Sequence, residues 1–267
     1  MSTTSAVSVA ASASRLFQSD TCADSTALQG TTVHAWSASL EPATSLAAQW
    51  ESVLSPDEHA RADRFVFERD RRRFVAGRVF LRLLLARYLS ADPAQLRFRY
   101  GSFGKPELLC SSEDLQFNLA HSETLAICVL AKGCELGVDL ERLRPLSGLR
   151  NVASHFFSAR ENEDLNAVPE KNLSRAFFNA WTRKEAFLKA TGNGLSRPLD
   201  SFDVTLLPGQ PAKLTRTFPD PEEAGRFSLC AFEPQPGYIA AIAIKENDWH
   251  VSHMRWSWSE AAIPSST

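Results

Sequence analysis

The feature that most limits what this chain can fold into is an order of elements that occurs twice. A stretch of helical spacing, SPDEHARADRFVFERDRRRFVAGRVFLRLLLARYL (55–89), leads to three short apolar runs, DLQFNLAHS (114–122), TLAICVLAK (124–132) and CELGVDLERL (134–143). The second occurrence starts with a helical stretch ending KNLSRAFFNAWTRKEAFLKATGNG (171–194) and continues with the strand-like SFDVTLL, FSLCAFE and YIAAIAIK. Runs of this length, with Lys132 and Gly133 at one junction, predict an antiparallel meander of three strands. Each half therefore reads as helix plus small antiparallel sheet, and two such halves bury two sheet faces and leave a cleft between them. The expected fold is α+β in two similar halves, 31–145 and 146–250, with a flexible tail at 1–30 and a C-terminal tail at 251–267.

A chain of 267 residues, 44% hydrophobic and 22% charged, is long enough to bury such a core. Its net charge of −2 argues against general nucleic-acid affinity, yet residues 57–105 carry twelve Lys or Arg against six Asp or Glu. That local excess suits an anionic ligand or an acidic partner; the plainer alternative is a solvated helical face. Arg71, Arg78 and Arg82 fall on one helical stripe beside Val75, Val79 and Leu85, where they line a pocket or snorkel. The five cysteines, Cys22, Cys110, Cys128, Cys134 and Cys230, are odd in number with no pair at metal-ligand spacing, which points to reduced thiols and a cytoplasmic protein. Cys128 reads as core filler. No apolar run approaches the roughly 18 residues that span a bilayer.

Chemistry concentrates in four places. In GVDLER (137–142) Asp139 and Glu141 alternate with Val138 and Leu140. In a strand the two acids share one face, with Cα atoms roughly 6.5 to 7 Å apart, while Val138 and Leu140 point into the core. Adjacent carboxylates repel unless a cation lies between them, and a hard divalent ion such as Mg2+ takes oxygen ligands and keeps positions for waters and phosphates. A solvent-facing acidic strand is the plainer reading of that motif alone. In WTRKEAFLKATGNG, helical geometry puts Trp181, Glu185 and Lys189 within one 80° sector, beside Phe177, Phe178 and Leu188. An acid on an apolar face needs a cation or a donor, although an i, i+4 Glu–Lys pair is the simpler account. His121, closing FNLAHS, and Lys105, in the turn-like GSFGKPEL, stand where either can donate to a phosphate, or else serve as ordinary structural and surface residues. Walker, GxGxxG, HExxH and GxSxG motifs are all lacking.

Together these segments resemble the Sfp-type 4'-phosphopantetheinyl transferase family. FNLAHS, GVDLER and WTRKEAFLKATGNGL occur in that family's order and at similar separations, GKPEL and GLSRPLDSF fit its flanking motifs, and the likeness covers roughly residues 31–245. The resemblance implies a monomer of two pseudo-two-fold halves, with coenzyme A and a metal ion at their junction. It implies that Asp139, Glu141 and Glu185 ligate Mg2+, with Mn2+ as the alternative. Glu185, or a water near the metal, deprotonates a carrier-protein serine for attack on the β-phosphorus, and 3',5'-ADP leaves. Lys189 would steady the pyrophosphate beside the catalytic set of Asp139 and Glu185. Arg61, Arg78, Lys105 and His121 would hold the 3'-phosphate and adenosine end. The implied partner is an acidic apo carrier protein of fatty-acid, polyketide or nonribosomal peptide synthesis, with no nucleic acid or membrane. Three positions depart from the pattern: Ala120 stands where many relatives place a serine, and Glu58 and Phe74 where a base and a threonine occur. Two other readings stay open: a non-catalytic module of the same fold that binds coenzyme A or a carrier protein, and another Mg2+-dependent phosphoryl-transfer enzyme.

Overall fold

A computed structural model describes residues 28, 30–42, 50–101, 104–109, 114–192 and 194–259. The tail expected at 1–30 lies almost wholly outside them. In chain order the elements are β1 (Thr32–Ser39), α1 (Pro56–Ala62), α2 (Glu68–Leu89), β2 (Phe98–Tyr100), β3 (Pro106–Leu108), β4 (Leu115–Ser122), β5 (Leu125–Lys132) and β6 (Leu136–Arg142). Then follow α3 (Leu149–Phe156), α4 (Ala159–Asn166), α5 (Glu170–Thr191), β7 (Phe202–Val204), β8 (Leu214–Thr217), β9 (Ser228–Phe232), β10 (Tyr238–Ile244) and β11 (His250–Arg255). The helical run at 55–89 is two helices, because Phe67 takes an extended backbone and restarts the chain as the N-cap of α2. No helix among the described residues is long and apolar enough to cross a membrane.

The strands form two main sheets, ordered β11-β1-β5-β4 and β6-β10-β9. β4 and β5 pair antiparallel, as the spacing predicts. The third run does not continue that meander. β6 leaves the first sheet and pairs antiparallel with β10, with Asp139 opposite Ala241. β6, on the N-terminal side of the expected division at 145/146, thus belongs to the second sheet. Nor is 251–267 a tail throughout: β11 pairs parallel with β1, and it is followed by the buried Trp256. The free edge of β1 supplies the ladder, and Trp256 packs edge-to-face on Trp36 and Phe80. The ladder is thus not purely antiparallel.

The result is four layers. α2 packs on one face of the first sheet through Val79, Phe80 and Leu84 against Trp36, Cys128 and Leu130. The two sheets face each other through Val33, Ile127 and Val129 on one side and Val138, Leu140 and Ile242 on the other. α5 covers the outer face of the second sheet, with Ala186, Phe187 and Ala190 against Ile239, Ala241 and Ala243. The free thiols of Cys134 and Cys230 are half-buried and that of Cys128 fully buried.

The doubled order extends to side chains. α2 and α5 each have 22 residues, and the fifteenth of each, Arg82 and Lys184, is a fully buried cation. Each meets the glutamate of a capping box at the start of a shorter helix. Ser55 and Glu58 cap α1, Ser158 and Glu161 cap α4, and the ion pairs are Arg82–Glu58 at 2.6 Å and Lys184–Glu161 at 2.8 Å. Further donors go to backbone carbonyls, of Pro93 and Leu96 in one half and of Leu199 and Phe202 in the other. Buried charges tolerate such positions only when paired and hydrogen-bonded throughout. Lys184 of the TRKEAF segment is therefore structural. Ser158→Ala is expected to cost about 1 kcal/mol, because the Glu161 amide loses its acceptor; urea unfolding measures it.

Candidate active site

β6 has different work on its two faces. Val138 and Leu140 point between the sheets, as the alternation predicts, and Gly137, Asp139 and Glu141 face α5. A Cβ at Gly137 would fall inside contact distance of Ala186 O and Ala190 N and 2.8 Å from the Lys189 carbonyl carbon. Glycine there lets the helix backbone lie directly on the strand. That approach brings Glu185 and Lys189 beside the two acids of β6.

Asp139 is buried. Its Oδ1 accepts a 2.7 Å bond from Lys189 Nζ, whereas its Oδ2, buried as well, has no hydrogen-bond partner. Burial raises the Asp139 carboxyl above its ordinary range, and Lys189 only partly opposes this. Glu141 is raised by burial and then by the charge of Asp139, with a 3.1 Å bond from Ser122 Oγ pulling the other way. Glu185 is likewise raised by burial and by Asp139. In this partly dry place Asp139 opposes the ionisation of both Glu141 and Glu185, and Lys189 offsets part of the charge on all three.

The second wall of the site comes from the other sheet. β6 has one edge paired with β10, and the opposite edge meets β4, with side chains in place of a ladder. Asn118 Oδ1 accepts from the Val138 amide at 2.9 Å, and Ser122 Oγ accepts from the Arg142 amide at 3.1 Å. His121 lies next along β4. Desolvation, Lys189 and Arg61 lower its pKa, and Asp139 opposes them.

The expected ligand-binding cations separate into two kinds. Arg61 is exposed, its guanidinium 5.4 Å from the Phe74 ring centre, and its charge reaches His121. Lys105 donates to Lys189 O at 2.8 Å and Leu136 O at 3.3 Å, tying the last turn of α5 to the start of β6. Burial lowers its pKa. Arg78 is buried, bonded from Nε to Glu58 Oε1 at 2.6 Å, with its guanidinium 4.9 Å from the Phe98 ring centre. Burial pushes Glu58 up, but Arg78, the Ser55 amide and Arg82 together bring its carboxyl below the usual range. Arg78 and Arg82 thus neutralise an internal acid.

Of the residues read from sequence, Asp139, Glu141, Glu185, Lys189 and His121 come together, Arg61 stands at the rim, Lys105 braces from behind, and Arg78 lies in the first half's own ion pair. Among the described residues no three His, Cys, Asp or Glu side chains are gathered tightly enough to enclose a metal. The donor chemistry nevertheless fits a hard divalent cation. Asp139 presents an unpartnered buried carboxylate oxygen, and Mg2+ binds through one or two carboxylates while waters and phosphates supply the rest. Sequence reading missed Gly137, Asn118 and Ser122. Asn118 and Ser122 were visible as polar residues on one face of an apolar strand.

Family models divide the chain where the topology does. One described as 4'-phosphopantetheinyl transferase, N-terminal, matches residues 35–133, and one described as 4'-phosphopantetheinyl transferase superfamily matches residues 135–243. The chain is 41% identical over 219 residues to the 4'-phosphopantetheinyl transferase HetI of Nostoc sp., covering 81% of this chain and 89% of that one. It is 32% identical to the 4'-phosphopantetheinyl transferase Sfp of Bacillus subtilis, over 74% and 85% of the two chains. It is 27% identical to the human L-aminoadipate-semialdehyde dehydrogenase-phosphopantetheinyl transferase, over 73% and 68%.

Proposed function

Since the chain belongs to the 4'-phosphopantetheinyl transferase family, we propose that it transfers the 4'-phosphopantetheine arm of coenzyme A to a serine hydroxyl of an apo carrier protein. The serine Oγ–phosphorus bond forms at the β-phosphorus, the bond from that phosphorus to the bridging oxygen breaks, and 3',5'-ADP leaves. The observation that carries this reading is the Lys189–Asp139 pair with its free carboxylate oxygen, next to Glu185 and Glu141.

Phosphoryl transfer asks the protein for positioning and charge neutralisation more than for covalent chemistry. Asp139, Glu141 and Glu185 would hold Mg2+ or Mn2+, which when bound neutralises pyrophosphate charge. Lys189 steadies the diphosphate from the helix side, in a place set by its bond to Asp139. His121 donates to a phosphate oxygen, and Arg61 meets the 3'-phosphate at the rim. Arg78, held to Glu58 through Nε, keeps that wall in place. Lys105 acts from behind by fixing the α5 terminus. Glu185 accepts the serine proton, directly or through one water. Both walls of the site come from one polypeptide, which suits a monomer. An acidic carrier would approach along the arginine-rich face.

Release of 3',5'-ADP from coenzyme A, followed by chromatography with and without apo carrier protein, tests the reading. Release is expected only with carrier and divalent cation. Phosphate release from nucleotides without carrier would favour another phosphoryl-transfer reaction, and coenzyme A binding with no release would favour a non-catalytic module.

A further inference from the structure

The acids stand on β6, and His121 stands on β4, yet these strands share no backbone ladder. Something else must set the distance between the two walls. The turn from β4 to β5 makes four contacts across the gap. Ser122 Oγ accepts from the Arg142 amide and donates to Glu141 Oε2, both at 3.1 Å. Glu123 accepts from Arg142 Nη1 at 2.7 Å, and the Thr124 hydroxyl bonds that of Tyr238 at 3.0 Å. Tyr238 is buried, so this last contact rests on a fixed post. Glu123 also holds a left-handed backbone, φ 46°, which a residue with a side chain seldom adopts. Surroundings that fix a residue in that region cluster where geometry matters to function.

We propose that Ser122–Thr124 is a clasp that positions Glu141, with Ser122 as the positioning residue. Ser122 has one hydroxyl and uses both of its capacities here, as acceptor for the amide after Glu141 and as donor to the Glu141 carboxylate. That bond engages one Glu141 oxygen and leaves the other free for a cation. Without it, the repulsion of Asp139 and the neighbouring solvent turn the carboxylate away. Outer partners that orient a metal's ligands typically account for ten- to hundredfold in affinity.

The inference rests on the reading of these acids as cation ligands, and the test separates the two. Mn2+ affinity is measured from the free-ion electron paramagnetic resonance signal, without coenzyme A or turnover, for the wild type, Ser122→Ala, Ser122→Thr and Asp139→Ala. Ser122→Ala is expected to bind about tenfold or more weakly, and Ser122→Thr, which keeps the hydroxyl, to stay near the wild type. If Ser122→Ala does not fold, Ser122→Cys replaces it, being close in size and a weak donor. Asp139→Ala losing Mn2+ while the Ser122 variant binds like the wild type overturns the clasp alone. No Mn2+ binding by the wild type, or binding unchanged in Asp139→Ala, overturns the metal reading and the clasp with it.

Discussion

Asp139→Asn is expected to reduce transfer by about a hundredfold or more, the scale on which preorganised charge at a reacting centre acts, and to leave the fold standing. Asparagine keeps the shape of the side chain and removes the charge that both Lys189 and the cation would meet. Stability responds in the opposite sense. Because the folded carboxyl has a raised pKa, the folded protein holds this proton more tightly than the unfolded chain does. Its contribution to stability therefore declines as pH rises through the raised range, and the charged form works against folding at neutral pH. Lys189, with its side chain 31% exposed, can return to water when its partner goes. The thermal midpoint of the variant without added cation should thus equal or exceed that of the wild type. A site that costs stability to keep its charge in place is the expected pattern for a functional acid. A sharply lower midpoint would show Asp139 to be structural.

Gly137→Ala is expected to have the larger effect on stability, about 3 kcal/mol, at the upper end of overpacking costs. The added methyl meets α5 backbone on three residues, so no side-chain rotation relieves it. Either the helix lifts from β6 or the strand bends. In both cases Glu185 and Lys189 leave Asp139, and transfer falls even in the fraction that folds. Urea unfolding, with activity measured per folded molecule, separates the two losses. A cost under about 1 kcal/mol, below the usual overpacking range, would mean that helix and strand separate easily and that the glycine does not set the site.

Much of the site was legible because two periodicities carried it. Alternation in GVDLER places Asp139 and Glu141 opposite Val138 and Leu140, and the helical spacing of the TRKEAFLK segment puts Glu185 and Lys189 on one face. What the periodicities cannot carry is partnership. Residues 136–140 of β6 are buried whether the strand pairs with β5 or with β10, so the meander was the natural reading and the wrong one. HVSHMR offers only a half-buried edge pattern, and its parallel pairing spans more than 200 residues of chain. Lys184 and Glu185 are adjacent letters, and only the packed structure sends one to Glu161 and the other to the site. Arg78 looked available for a phosphate because Glu58, which holds it, lies twenty residues away. Local pattern thus disclosed which residues share a face, whereas long-range ion pairs decided which charges remained free.

The most direct measurement is the intact mass of an apo carrier protein after incubation with coenzyme A, Mg2+ and this protein, beside Asp139→Asn and a chelator control. The expected result is a gain of one phosphopantetheine arm with the wild type, none with chelator and, in the early part of the reaction, about a hundredth of the wild-type gain or less with Asp139→Asn. A full gain with Asp139→Asn, or in the presence of chelator, would contradict the assignment of the GVDLER acids to a cation that serves the transfer.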